Sequence, residues 1–213
     1  RWIFLAMGLS VAVPILLQPS LPEVVTPMAR KTFATLGDLP DGSRILLSFD
    51  FDPGSEPELG PMATSLVRQC AMKKHRMVFI ALWPLGPQMI DAATKGVLLA
   101  EFPEYRYGED WVNMGFQTGN EAVMKQLKSD VPLAFPRDIN GTATGQIPIM
   151  KGVRTALDFD AIVAISAGYP GAKEWVQYVV SPNRGGAKPL RMVAGCTGVQ
   201  APQLYPYYPG QLD

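Results

Sequence analysis

Two aspartates two positions apart, Asp50 and Asp52, close a hydrophobic run that reads Leu46-Leu47-Ser48-Phe49-Asp50-Phe51-Asp52. Carboxylates placed this way are oxygen donors, but a magnesium site needs such donors to converge from more than one loop. The next two residues, Pro53-Gly54, are turn formers. Asp50 and Asp52 are therefore expected to cap the turn and the helix after it. Other chemistry is scarce. His75 is the sole histidine and stands beside Lys73, Lys74 and Arg76, a composition that places it on a solvated loop. Zinc clusters and histidine-based triads lack their partners. No Gly-x-Gly-x-x-Gly or Gly-Lys-Ser/Thr loop occurs, so dinucleotide and nucleoside triphosphate binding lack their fingerprints. Cys70 and Cys196 permit one disulfide without demanding it. No metal site and no cofactor are expected.

The aspartate pair resembles the first motif of the haloacid-dehalogenase-like phosphotransferases. The resemblance covers Leu46 to Asp52 and adds Ser166, which closes another apolar run. It implies Asp50 as a nucleophile that forms an acyl-phosphate, Asp52 as a general acid, and magnesium held by both. It further implies Ser166 as the phosphate-binding side chain and Lys173 or Lys188 as the base. The run after Leu190 ends in Gly195-Cys196-Thr197, without the late acidic pair of the family.

A second class of site would lie in the loops that follow strands, because ligands of open parallel sheets bind outside the strands' carboxyl ends. The candidates there are Asp50, Asp52, Gly86, Ser166, Gly168 and Thr197. Several of these loops lead into helices near Gly or Pro, so free backbone N–H groups can face a small anion or carbonyl. A third class is an interface. Trp111 lies in a stretch mixing acidic and aromatic residues, Gly108 to Phe116. Tyr205, Tyr207 and Tyr208 lie in a Tyr- and Pro-rich tail, 201–213, whose prolines exclude a helix or a central strand. Stiff aromatic side chains are favoured at interfaces. Asn140-Gly141-Thr142 fits a glycosylation sequon.

The elements that must position these residues follow from apolar runs of strand length: Arg44 to Phe49, Met77 to Trp83, Ala161 to Ser166 and Leu190 to Gly195, with a further strand at Trp111 to Phe116. They are near-continuous rather than alternating, as strands covered on both faces must be. Helical patterns run from Glu58 to Lys74, Pro87 to Phe102, Asn120 to Ser129 and Gly171 to Val180. Alternation of this kind predicts an α/β fold, a Rossmann-like, three-layer, mostly parallel sheet with helices on both faces. Phe135 to Gly152 carries too many breakers for a regular element and reads as a long excursion.

The remaining organisation comes from composition. Of 213 residues 47% are hydrophobic, 19 basic residues balance 19 acidic ones, and there are 20 glycines and 20 prolines. This is a folded chain rich in turns. Its neutrality removes the electrostatic footprint expected of a nucleic-acid binder or of a protein held mainly by an anionic membrane surface. Trp2 to Leu17 is sixteen residues without a charge, which predicts a transmembrane helix in contact with lipid. A full span takes about 20 residues, and residues before Arg1 would complete it. The expected organisation is an anchor at 1–18, a Pro-rich stalk with a short helix at 19–40, an α/β domain at 41–200 and an extended tail at 201–213. A short flank before the anchor and a long domain after it place the domain outside the cytoplasm. The function these features imply is that of a membrane-anchored, non-catalytic accessory or binding subunit, touching lipid through residues 2–17 and other subunits of a membrane complex elsewhere. The alternatives are a magnesium-dependent phosphatase or hydrolase using Asp50 and Asp52, and a small-ligand-sensing domain.

Overall fold

Five apolar runs become five strands in the computed structural model, which describes residues 1–17, 24–183 and 190–212. They are β1 Arg44–Asp50, β2 Arg76–Ala81, β3 Trp111–Phe116, β4 Ala161–Ser166 and β5 Arg191–Cys196. All neighbouring pairs are parallel, in the order β3-β2-β1-β4-β5. Successive side chains of a strand point to opposite faces, and both faces are covered. Ile45, Leu47, Phe49, Met77, Phe79, Val163 and Val193 enter one core cluster; Leu46, Val78, Ile80, Val112, Ile162 and Met192 enter the other. That is why the runs read as continuous rather than alternating.

The helices supply the outer layers. α1 is Trp2–Leu17, α2 Pro27–Gly37, α3 Glu56–Met72, α4 Gly86–Ala93, α5 Glu121–Ser129, α6 Val131–Ala134, α7 Ala172–Trp175 and α8 Ala201–Leu204. α4 and α7 continue as wider π-helical turns, Thr94–Leu99 and Val176–Val180. Leu59, Val67 and Cys70 of α3, with Met89 and Ile90 of α4, pack on one face of the sheet; Val123 and Leu127 of α5, with Trp175 of α7, pack on the other. The architecture is α/β and Rossmann-like, with a sheet parallel throughout. β3 carries an irregularity opposite Phe79 and Ala81, where Gly115 adopts φ +79°, a conformation that favours glycine.

Several expectations change. The excursion from Phe135 to Gly152 buries Phe135, Ile147, Ile149 and Met150 and forms short 3-10 turns. Its backbone is held by Asp138, whose carboxylate accepts from the Asn140 and Thr142 N–H groups and from the Tyr107 hydroxyl. The tail expected to be extended instead forms α8 and a 3-10 turn, Tyr205–Tyr207, with Leu204 and Leu212 buried. Pro202 and Pro206 take positions near helix starts, where the missing N–H costs nothing.

The chain divides into two compact units, Arg1–Arg30 and Lys31–Asp213. In the first, α1 is a single helix through Pro14, and none of its residues is buried. Sixteen residues rise about 24 Å, against about 30 Å of bilayer hydrocarbon. Among the described residues no helix is long and apolar enough to cross a membrane, so the expectation of a spanning helix at 2–17 gains no support from the described fold. In the second unit, Leu36 and Leu39 belong to the core. α2 is also tied down by its last carbonyls: Gln69 Nε2 donates to Phe33 O at 2.5 Å, Arg191 donates to Thr35 O at 3.2 Å, and His75 Nε2 lies 3.0 Å from Leu36 O. A helix leaves its final carbonyls without intrahelical partners. Arg191 and His75 meet two of them here, and Gln69 adds a bond to the Phe33 carbonyl just before them.

Candidate functional site

The order β3-β2-β1-β4-β5 reverses its direction of growth between β1 and β4, so the carboxyl ends of those two strands form the switch point of the sheet. Asp50 and Ser166, the last residues of β1 and β4, are partners in the ladder. Both are fully buried. One Asp50 oxygen accepts from the Ser48 hydroxyl at 2.6 Å and the other from the Leu82 N–H at 2.7 Å. The carboxylate thereby ties the end of β1 to the backbone leaving β2. Burial pushes the Asp50 carboxyl up to about 7, against the opposing pull of these two hydrogen bonds. The buried indole nitrogen of Trp175 meets no hydrogen-bond geometry, yet it lies close enough to favour the charged form of Asp50, while Glu174 works the other way.

Ser166 is similarly occupied. Its hydroxyl accepts from the Ala172 N–H at 3.0 Å and donates to Gln200 Oε1 at 3.1 Å. The Gln200 amide then donates to Gly168 O at 2.6 Å. Nearby, Glu174 accepts from the Gly171 N–H at 2.9 Å, and Glu58 accepts from the Gly198 N–H at 2.7 Å. The Leu82, Gly171, Ala172 and Gly198 N–H groups at the strand ends are thus engaged by the chain's own side chains. Gly86 is required for a different reason: a Cβ there would collide with the Phe49 carbonyl and the Ala81 side chain. It serves close packing of α4 against the sheet. Thr197 is buried, and its carbonyl accepts from Gln200 N and Ala201 N at the start of α8.

Asp52 is separate from Asp50. It is half-buried, and its Oδ1 accepts from the Ser55 N–H at 3.2 Å in the turn before α3. The two carboxylates therefore face different partners. An acyl-phosphate mechanism needs the first carboxylate open to an incoming phosphate; Asp50 has both oxygens engaged and is 0% exposed. Among the described residues no group of three or more His, Cys, Asp or Glu could hold a metal ion. Lys173 is half-buried, and Lys188 lies outside the described residues.

Two residues sit elsewhere than their surroundings in sequence suggest. Trp111 is buried in β3, edge-on to Phe79 and Tyr107. His75 is fully buried rather than solvated, with the C-terminal end of α2 against its Nε2. Its charged neighbours conceal this, because only the ring points inward. Of the tail tyrosines, Tyr205 is exposed, Tyr207 accepts from Gln177 at 2.7 Å, and Tyr208 lies under the Lys31 ammonium, 5.1 Å from ring centroid to nitrogen. Tyr207 and Tyr208 thus have partners within their own unit. Gln200, Glu174 and Trp175 were not legible as site residues. Nothing in their local sequence marks them, and they meet Ser166 and Asp50 only through the crossovers.

Comparison with protein-family models, with curated proteins and with solved structures finds no match to this chain.

Proposed function

We propose that the chain is a non-catalytic binding subunit held at a membrane through α1, with its α/β unit outside the cytoplasm and in contact with other subunits of a membrane assembly. The observation that carries this reading is α1 itself, sixteen residues without a charged side chain, none of them buried. A helix apolar on every side belongs in a protein core or in lipid. Leaving it in water forfeits about 25 cal/mol for each Å² of apolar surface. The catalytic alternative draws nothing from a sealed Asp50, and the ligand-sensing alternative nothing from strand-end groups already bonded to one another.

Flotation of the full-length chain with phosphatidylcholine vesicles tests the reading. The chain should float and should resist carbonate extraction. The variant Leu5→Lys with Leu9→Lys should stay in the aqueous fraction, since each charge near a helix centre costs about 3 kcal/mol on insertion. Release of the unaltered chain by carbonate would refute lipid attachment through α1.

A further inference from the structure

We propose that a groove between α2 and the end of α3 docks the α/β unit onto anionic phospholipid headgroups. This rests on the membrane reading above and adds the surface by which the unit meets the bilayer. The groove has a volume of about 410 Å³ and is lined by Phe33, Gly37, Asp38, Gln69, Met72 and Lys73, with Ala34 beside them. Its rim is apolar and open: Phe33 is 63% exposed and Met72 67%. Both side chains line the same groove, so the two exposed apolar groups form one patch rather than isolated points.

Charge selects the occupant. Lys73 and Lys74 follow Met72 directly, and neither ammonium has a hydrogen-bond or ion-pair partner among the described residues. Arg76 follows, with its Nε donating to Gly42 O. The acidic side chain lining the groove is Asp38, so the local balance is basic although the whole chain is neutral. Whole-chain neutrality, which disfavours an anionic surface as the main anchor, averages this patch away. Exposed aromatic and apolar side chains ringed by lysines match the boundary between headgroups and acyl chains, where lysine stems lie along apolar surface and their ammonium groups reach phosphate.

The α2 wall of the groove is also bonded to its surroundings. Gln69, Arg191 and His75 fix the α2 carbonyls, so its rim is held in place before any contact. Leu17 and Pro27, the end of α1 and the start of α2, are separated by nine residues, which reach at most about 35 Å. Weak docking suffices for a unit already tethered, because tethering makes the second contact intramolecular.

An environment-sensitive fluorophore on Ala34→Cys, in the full-length chain carrying Cys196→Ser, reports on the groove. In phosphatidylglycerol-containing vesicles at low salt its emission should shift to the blue. In pure phosphatidylcholine, or at high salt, it should not. Lys73→Gln with Lys74→Gln should weaken docking roughly 25-fold, about fivefold per charge near an anionic surface. Equal emission in the two lipids, or an unchanged response in the double variant, would overturn the proposal. A label shielded in native membranes but indifferent to phosphatidylglycerol would also overturn it, in favour of a protein occupant. Failure to float with phosphatidylcholine instead removes the role of α1, and the response to phosphatidylglycerol still tests the groove.

Discussion

Asp50 shows how a residue can look catalytic and act as a structural tie. Its carboxylate holds Ser48 and the Leu82 backbone, and burial raises its pKa to about 7 from about 3.9 in an unfolded chain. Between those values the folded state binds the proton more tightly than the unfolded state. The stabilising contribution is therefore complete below about pH 4 and is lost as pH rises through about 7. Asp50→Asn keeps an oxygen for the Leu82 N–H and cannot ionise. Relative to this variant, the unaltered protein should lose stability on the order of a few kcal/mol between about pH 4 and pH 8. Urea unfolding of both proteins across that range checks it; a difference independent of pH would contradict the assignment. Cys70, buried in α3 with its thiol pushed up to about 12 by burial, offers no competing chemistry.

At the scale of elements, α2 is the informative case. Its sequence follows a proline-punctuated stretch and invites the reading of a stalk, but Leu36 is fully buried, Leu39 nearly so, and three side chains from outside the helix meet its last carbonyls. A chain beginning at Lys31 should therefore fold with an unchanged midpoint, whereas one beginning at Asp41 should not. Leu36→Ala alone should cost about 2–5 kcal/mol, which is roughly 5–15 °C in Tm for a unit of this size. Thermal unfolding followed by circular dichroism distinguishes the two truncations. Equal midpoints would show that α2 adds nothing to the core and would restore the boundary near residue 40.

For the whole molecule, the proposed attachment through α1 carries a prediction about the side of the membrane on which the α/β unit lies. Arg30 and Lys31 follow α1, and the long domain after them argues for translocation, since long domains cross largely regardless of their charge. Val24 is 88% exposed and close to the end of α1 in sequence. Val24→Cys should react with a membrane-impermeant thiol reagent in intact cells. The native thiols give little background: Cys70 is buried, and Cys196 is half-buried with its pKa raised by burial and by Glu58. Labelling only after lysis would place the unit in the cytoplasm.

The sequence by itself determined the α/β class, the positions of all five strands, the main helices and the apolar character of α1. These are local properties: a strand covered on both faces must be apolar at every position, and a surface helix must repeat its apolar residues every three to four. The turn role of Asp52 was legible for the same reason, since Pro53-Gly54 sits beside it. Tertiary structure alone decided that Asp50 and Ser166 meet at the switch point, that Gln200 and Glu174 occupy the groups around them, that His75 faces inward, and that α2 belongs to the core. Each of these joins residues distant in the chain: 116 positions separate Asp50 from Ser166 and 39 separate His75 from Leu36. Such pairings are created by crossover connections and sheet order, which a single sequence encodes only through the packing of the whole unit.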